Sequence, residues 1–220
     1  SVGDMDNDGD FDVIVTGSLG STNRLDMYRG NGTGGFTGPT SFGFGTTSGS
    51  STLGDIDGDG DLDLIVTGTN HGGARRLDKY LNDGTGVFTP TAFGVGLNER
   101  TATVLADFDM DGDLDLVARG RVAAGAMRLD YYTNNGTGAF LGPRAFGTGT
   151  QSGSMSMGDI DGDGDIDLIV TGQNGGYRLD KYINDGLGGF AGPTAFGTGV
   201  FESQSALGDI DGDGDLDLIV

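Results

Sequence analysis

Five short aspartate-rich loops dominate the chemistry open to this chain of 220 residues. The clearest reads GDIDGDGDLDLIVTG from Gly54, where carboxylates recur on alternate residues before the sequence turns abruptly apolar. Close copies begin at Gly3 (GDMDNDGDFDVIVTG), Gly158 (GDIDGDGDIDLIVTG) and Gly208 (GDIDGDGDLDLIV), and a looser one at Ala106 (ADFDMDGDLDLVARG). Counting the first aspartate as position 1, the acids are Asp4, Asp55, Asp107, Asp159 and Asp209 at position 1, and Asp6, Asp57, Asp109, Asp161 and Asp211 at position 3. Position 5 holds Asp8, Asp59, Asp111, Asp163 and Asp213, and position 7 holds Asp10, Asp61, Asp113, Asp165 and Asp215. Position 9, where the strand opens, holds Asp12, Asp63, Asp115, Asp167 and Asp217. A hard divalent cation takes six to eight oxygen ligands, and a glycine after the third carboxylate lets the chain wrap around it. The expected donors are the side chains of positions 1, 3, 5 and 9 with the backbone carbonyl of position 7, whose own carboxylate is spare. Calcium fits such a cage, whereas magnesium resists an all-protein shell.

Acidic turns without an ion are the plainer reading, since Asp and Gly are good turn formers. Carboxylates converging within one loop repel one another strongly without a cation, however, and five copies at fixed spacing argue against accident. The loop begins like an EF-hand, D-x-D-x-D-G, but position 9 already opens a strand, no Glu stands at position 12 and no helix follows. The third copy keeps Asp107, Asp109, Asp111 and Asp115, so only its local packing, at Ala106 and VARG, departs from the others.

The loops also explain the charge. Thirty-three acidic residues against twelve basic ones give a net charge of -21, and the loops hold 25 of the 33 acids, leaving eight elsewhere. Nucleic acid and anionic membranes are therefore poor partners. With no cysteine, neither disulfides nor thiolate chemistry is available. No apolar run reaches the ~18 residues of a membrane-spanning helix, and the N-terminus has neither the basic nor the apolar part of a signal peptide.

Something must position five equivalent loops, and the sequence supplies it by repetition. The position-1 aspartates are 51, 52, 52 and 50 residues apart, giving repeats over 1–47, 48–98, 99–151, 152–200 and a partial 201–220. Forty-six glycines and little helical periodicity favour short strands. After each loop comes an apolar strand, as in LDLIVTG, where Leu62, Leu64 and Val66 share one face and Ile65 takes the other, so both faces are covered. Next comes RLDxY (from Arg24, Arg76, Arg128 and Arg178), then a tight Asn-Gly or Asp-Gly type hairpin ending in Phe, then a strand to a Phe-Gly at Gly43, Gly94, Gly147 and Gly197. Four antiparallel strands in about 50 residues make one blade of a β-propeller, so the expected fold is all-β, with four full blades and part of a fifth.

GDIDGDGDLDLIV followed by RLDKYLNDGTGVF and Phe-Gly resembles the FG-GAP or VCBS repeat, the blade of calcium-containing β-propellers that is also found in integrin α-subunit heads. The likeness spans essentially the whole chain. It implies up to five bound calcium ions, a secreted or cell-surface location, and a role in adhesion or in recognising a protein or glycan. Some members of the family are lectins and others are scaffolds attached to enzymes, so the resemblance leaves the ligand open. A structural subunit of an extracellular assembly or filament is the alternative reading.

On a strand, Arg76, Asp78 and Tyr80 of RLDKY share a face, so Arg and Asp are expected to pair with each other or with the adjacent blade, a scaffold role preferred over ligand binding. Asn31 and Asn135 begin N-G-T sequons, but at hairpins that already call for Asn-Gly. Catalysis has little to work with: His71 is the only histidine, it lies in a variable connection, and the paired carboxylates are committed to an ion. The chain carries five loop-and-strand units but four RLDxY units, so it is expected to be an excerpt of a longer array or a subunit completed by another chain.

Overall fold

In the computed structural model, which describes residues 1–199 and 204–220 apart from the side chain of Glu99, each acidic loop joins two antiparallel strands. The first repeat is a four-stranded sheet, β1 (Val2–Gly3), β2 (Asp12–Leu19), β3 (Thr22–Gly30) and β4 (Phe36–Ser41), ordered as in the chain. The second contributes β5 (Ser51–Gly54), β6 (Asp63–Thr69), β7 (Arg75–Asn82) and the start of β8 (Phe88–Ala106). The third adds β9 (Asp115–Arg121), β10 (Met127–Thr133) and β11 (Leu141–Thr148). The fourth is β12 (Met155–Gly158), β13 (Asp167–Gln173), β14 (Tyr177–Ile183) and β15 (Ala191–Ala195), and β16 (Ala206–Gly208) pairs with β17 (Asp217–Ile219) beyond it. The expected boundary between residues 200 and 201 lies outside the described residues.

The second and third repeats do not separate into two four-stranded sheets. They form one seven-stranded sheet, because β8 is at once the last strand of one and the first of the other. Sequence explains the difference. Elsewhere this connection is rich in Gly, Ser and Thr (GTTSGSS, GTGTQSGS), but here it reads GVGLNERTATV, and its Leu97 pairs with Arg76 while Asn98 pairs with Arg121. Chain that can pair on both sides continues as strand.

The core lies between repeats. Leu64 and Val66 of β6 join Ile14, Leu25 and Met27 of the first repeat in one cluster, while Ile65 of the same strand joins Leu105, Leu116 and Tyr132 of the third in another. A third cluster packs Val117 and Leu129 against Leu168, Val170 and Tyr182. All three β6 residues are fully buried, each contributing about 1.5–3 kcal/mol, which is why this strand alternates between two apolar faces. Hydroxyls tie neighbouring first strands together: Ser1 bonds Ser51, Thr52 bonds Thr103 and Ser156 bonds Ser205, at 2.9, 2.6 and 2.7 Å.

Candidate functional site

The loop from Asp55 shows how each carboxylate is used. At position 1, Asp55 accepts hydrogen bonds from the amides of Gly58 (2.8 Å) and Gly60 (2.9 Å), closing the loop on itself. This needs Gly60 at φ 94°, a conformation that side-chain-bearing residues rarely adopt. At position 5, Asp59 accepts from the Asp61 amide at 3.0 Å. At position 9, the buried Asp63 accepts from the Ile56 amide (3.0 Å) and the Asn82 amide (2.8 Å), clamping the loop start to the end of β7. Position 3 differs. One oxygen of Asp57 is buried without a hydrogen-bond partner among the described residues, and so is one oxygen of Asp6 and of Asp109.

Three carboxylate oxygens approach within 4.8 Å of one another in every loop: Asp4, Asp6 and Asp8; Asp55, Asp57 and Asp63; Asp107, Asp109 and Asp111; Asp159, Asp161 and Asp167; Asp209, Asp211 and Asp217. Positions 1 and 3 are in every group, with position 5 or 9 as the third member. The position-7 acids Asp10, Asp61, Asp113, Asp165 and Asp215 are in none. Asp10, Asp61, Asp113 and Asp165 instead lie against the hairpin glycines Gly32, Gly84, Gly136 and Gly186, and Asp61 also accepts from the Asn7 side chain of the preceding loop at 2.6 Å.

Without a cation the clusters are electrostatically incomplete. Burial pushes the Asp63 carboxyl up to about 6, and burial together with neighbouring Asp115 and Asp111 takes Asp109 to about 6. Asp57, Asp115 and Asp167 move up as well, chiefly through burial. A buried carboxylate oxygen with no donor, beside other carboxylates, is what a hard cation would complete.

Several partners around the loops were not legible as such. Asn82, Asn134 and Asn184, which open three of the hairpins, each donate a side-chain amide to the position-2 carbonyl of the preceding loop: Asn82 to Met5 (2.8 Å), Asn134 to Ile56 (2.7 Å) and Asn184 to Phe108 (2.7 Å). Their backbone amides bond the position-9 aspartate of their own loop, so one residue links two loops. Arg29 forms an ion pair with Asp6, and the Tyr131 hydroxyl donates to Asp115 at 2.6 Å.

The RLDxY arginines pair within their own strand, Arg24 with Asp26 and Arg76 with Asp78 at 2.7 and 2.8 Å, Arg128 with Asp130 and Arg178 with Asp180 at 2.7 and 2.5 Å. The sequon residues Asn31 and Asn135 accept amides inside their hairpins, as Asp83 and Asp185 do at the equivalent positions. His71 is exposed in the β6–β7 connection.

Loop, paired strands and hairpin match the FG-GAP-like repeat over residues 4–66, 55–118, 121–170 and 159–220. The chain belongs to the FG-GAP-like repeat family. No curated protein matches it in sequence. In this FG-GAP-like chain the Phe-Gly pair is the socket for the next repeat. A Cβ on Gly43 would stand 2.5 Å from the Tyr80 ring, and one on Gly147 would stand 2.6 Å from that of Tyr182. The Tyr80 hydroxyl accepts the amide of Phe44, and Phe42 meets Tyr80 edge-on and stacks on Phe88 at 5.9 and 4.7 Å. Phe93 with Tyr132 and Phe140, and Phe146 with Tyr182 and Phe190, repeat the arrangement.

Proposed function

We propose that this FG-GAP-like chain is a non-enzymatic, calcium-stabilised part of a β-propeller in a secreted or cell-surface protein, serving adhesion or the recognition of a protein or glycan. The observation that carries the calcium reading is the buried oxygen, unpartnered among the described residues, of the position-3 aspartates Asp6, Asp57 and Asp109 inside clusters of three carboxylates. The side chains of positions 1, 3, 5 and 9 and the position-7 carbonyl would hold the ion. Bound calcium supplies the positive charge that these carboxylates lack. The loop's own residues contribute shape: position 1 closes the turn, position 9 fixes it to the sheet, and the hairpin asparagines hold neighbouring loops in register.

Family membership supports an extracellular repeat module, and the sparse catalytic repertoire supports a non-enzymatic one. The test is thermal unfolding with and without chelator. At an affinity of about 0.1 mM and about 1 mM calcium, each site adds roughly 1.4 kcal/mol by mass action. Five sites then approach about 7 kcal/mol, comparable to a typical domain's net stability. Chelation should lower the melting temperature by many degrees, calcium should restore it, and magnesium should restore it poorly. An unchanged curve after verified metal removal would overturn the reading.

A further inference from the structure

Asn-Gly pairs occur at Asn31, Asn135 and Asn174, and the fold treats them in two different ways. Asn31 and Asn135 are exposed and lie in the hairpins that follow β3 and β10, where each side-chain oxygen collects three donors. The Asn31 Oδ1 accepts from the Thr33 amide (3.1 Å), the Thr33 hydroxyl (2.9 Å) and the Gly35 amide (2.9 Å). The Asn135 Oδ1 accepts from the Thr137 amide (3.1 Å), the Thr137 hydroxyl (2.8 Å) and the Ala139 amide (3.3 Å). Asn174, in the β13–β14 connection, is held by the other end of its amide. Its side-chain nitrogen donates to the Gly149 carbonyl at 2.7 Å, and its oxygen accepts no hydrogen bond among the described residues.

Donors converging on an amide oxygen polarise the carbonyl and stabilise the negative charge that gathers there when a nucleophile adds to its carbon. The tethered nucleophile is the backbone nitrogen of the next residue, Gly32 or Gly136, which has no side chain to obstruct the approach and sits at φ 66° or 74°. The chain already contains the product of such an attack. Asp83 and Asp185 stand at the same hairpin position and accept equivalent bonds, Asp83 from the Thr85 amide (3.0 Å), the Thr85 hydroxyl (2.7 Å) and the Val87 amide (3.3 Å), Asp185 from the amides of Leu187 (3.0 Å) and Gly189 (2.7 Å). The Thr85 hydroxyl and amide hold the Asp83 carboxyl below its ordinary range, and the Gly189 and Leu187 amides do the same at Asp185. An aspartate in place of Asn31 or Asn135 therefore enters a site shaped for its charge.

We propose that Asn31 and Asn135 are sites of spontaneous deamidation promoted by the fold. The Gly32 or Gly136 nitrogen bonds to the side-chain carbon and gives its proton to water, while the side-chain nitrogen takes up a proton and leaves as ammonia. Water then opens the five-membered imide at one of its two carbonyls, leaving aspartate or isoaspartate. Conversion at both sites takes the net charge from -21 to -23, one unit each. Aspartate reproduces the hairpins of the second and fourth repeats. Isoaspartate adds one carbon to the main chain beside Gly136, which lies against Asp113 of the third loop. The inference goes beyond the calcium reading and does not depend on it.

The test is incubation of the full, unglycosylated chain with calcium at neutral pH and physiological temperature. Peptide mapping by mass spectrometry follows the change from amide to acid at each asparagine. Asn31 and Asn135 should convert faster than Asn174 by about fivefold or more, and the three rates should converge in urea, where the converging donors are lost. Thr137→Leu, which matches Leu187 of the fourth hairpin, removes one donor and should slow Asn135 by about two- to tenfold while Asn31 in the same molecule keeps its rate. A dispersed NMR spectrum checks that this variant is folded, and if it is not, the comparison with Asn174 in the parent chain decides alone. Asn174 converting as fast as the other two in the folded chain, a lead over Asn174 that persists in urea, or a folded Thr137→Leu chain with Asn135 unslowed overturns the proposal.

Discussion

Arg29 forms an ion pair with Asp6, so that, among the described residues, only the first acidic loop has a guanidinium at its third position. The equivalent residues of the next three repeats are Leu81, Thr133 and Ile183, none of which carries charge. A cation entering the first loop must displace or share this partner.

The first loop should therefore bind calcium more weakly than the others. Replacing Arg29 with Leu, the residue of the second repeat, should raise affinity at that site by about two- to fivefold, the scale of one partly exposed ion pair. Site-resolved calcium titration by NMR checks this, and an affinity that stays level or falls would show that the pair does not compete with the ion.

Within one loop, positions 3 and 7 should separate cleanly. Asp57→Asn removes a charge whose buried oxygen lacks a partner, so in chelator the variant should be more stable than the parent by about 1 kcal/mol, and in calcium less stable. Asp61→Asn, at the acid outside the cluster, should show no such reversal. Unfolding curves in both conditions provide the measurement, with the change of sign as the result to look for.

A different unpartnered carboxylate marks the strand that follows. Asp78, Asp130 and Asp180 are buried with one oxygen free of hydrogen bonds among the described residues, whereas Asp26 in the first repeat receives one from Ser41. The residues paired across from those three are Ala92, Ala145 and Ala195. Ala145→Ser should stabilise the chain by about 1 kcal/mol and Ser41→Ala destabilise it by a similar amount. Denaturant midpoints at constant slope would show both.

The socket glycines can be tested against an open one. Gly147→Ala would place a methyl 2.6 Å from the Tyr182 ring and should destabilise by about 1–3 kcal/mol. Gly17→Ala, with nothing within 4 Å of the added carbon, should be close to neutral. Equal melting temperatures for the two variants would mean that the tyrosine does not need the space.

What could be read in advance was whatever repeats at short range. Alternate aspartates, the two-faced apolar strand and the Asn-Gly hairpins each carry their signal within a dozen residues, and β2, β6, β9 and β13 follow the loops as expected. Partners far along the chain left no such signal. The bond from Asn134 to Ile56 spans 78 residues, and its asparagine already had a sufficient local explanation in the turn. Arg119, buried against the carbonyls of Thr150 and Gly153, looked like decay in a looser copy, because sequence spacing does not show which carbonyls surround a side chain. The merging of two sheets through β8 was hidden for the opposite reason: the period suggested a break that GVGLNERTATV does not make.

That merged strand has a mechanical consequence. β8 is hydrogen-bonded to β7 along its first half and to β9 along its second, so tension along it loads both ladders in shear together. The Gly- and Ser-rich joints at 43–50 and 147–154 have no comparable ladder through them and can yield one bond at a time. Stretched from its ends, the chain would behave as a stiff central segment between two compliant joints, giving way first on either side of the second and third repeats and last between them.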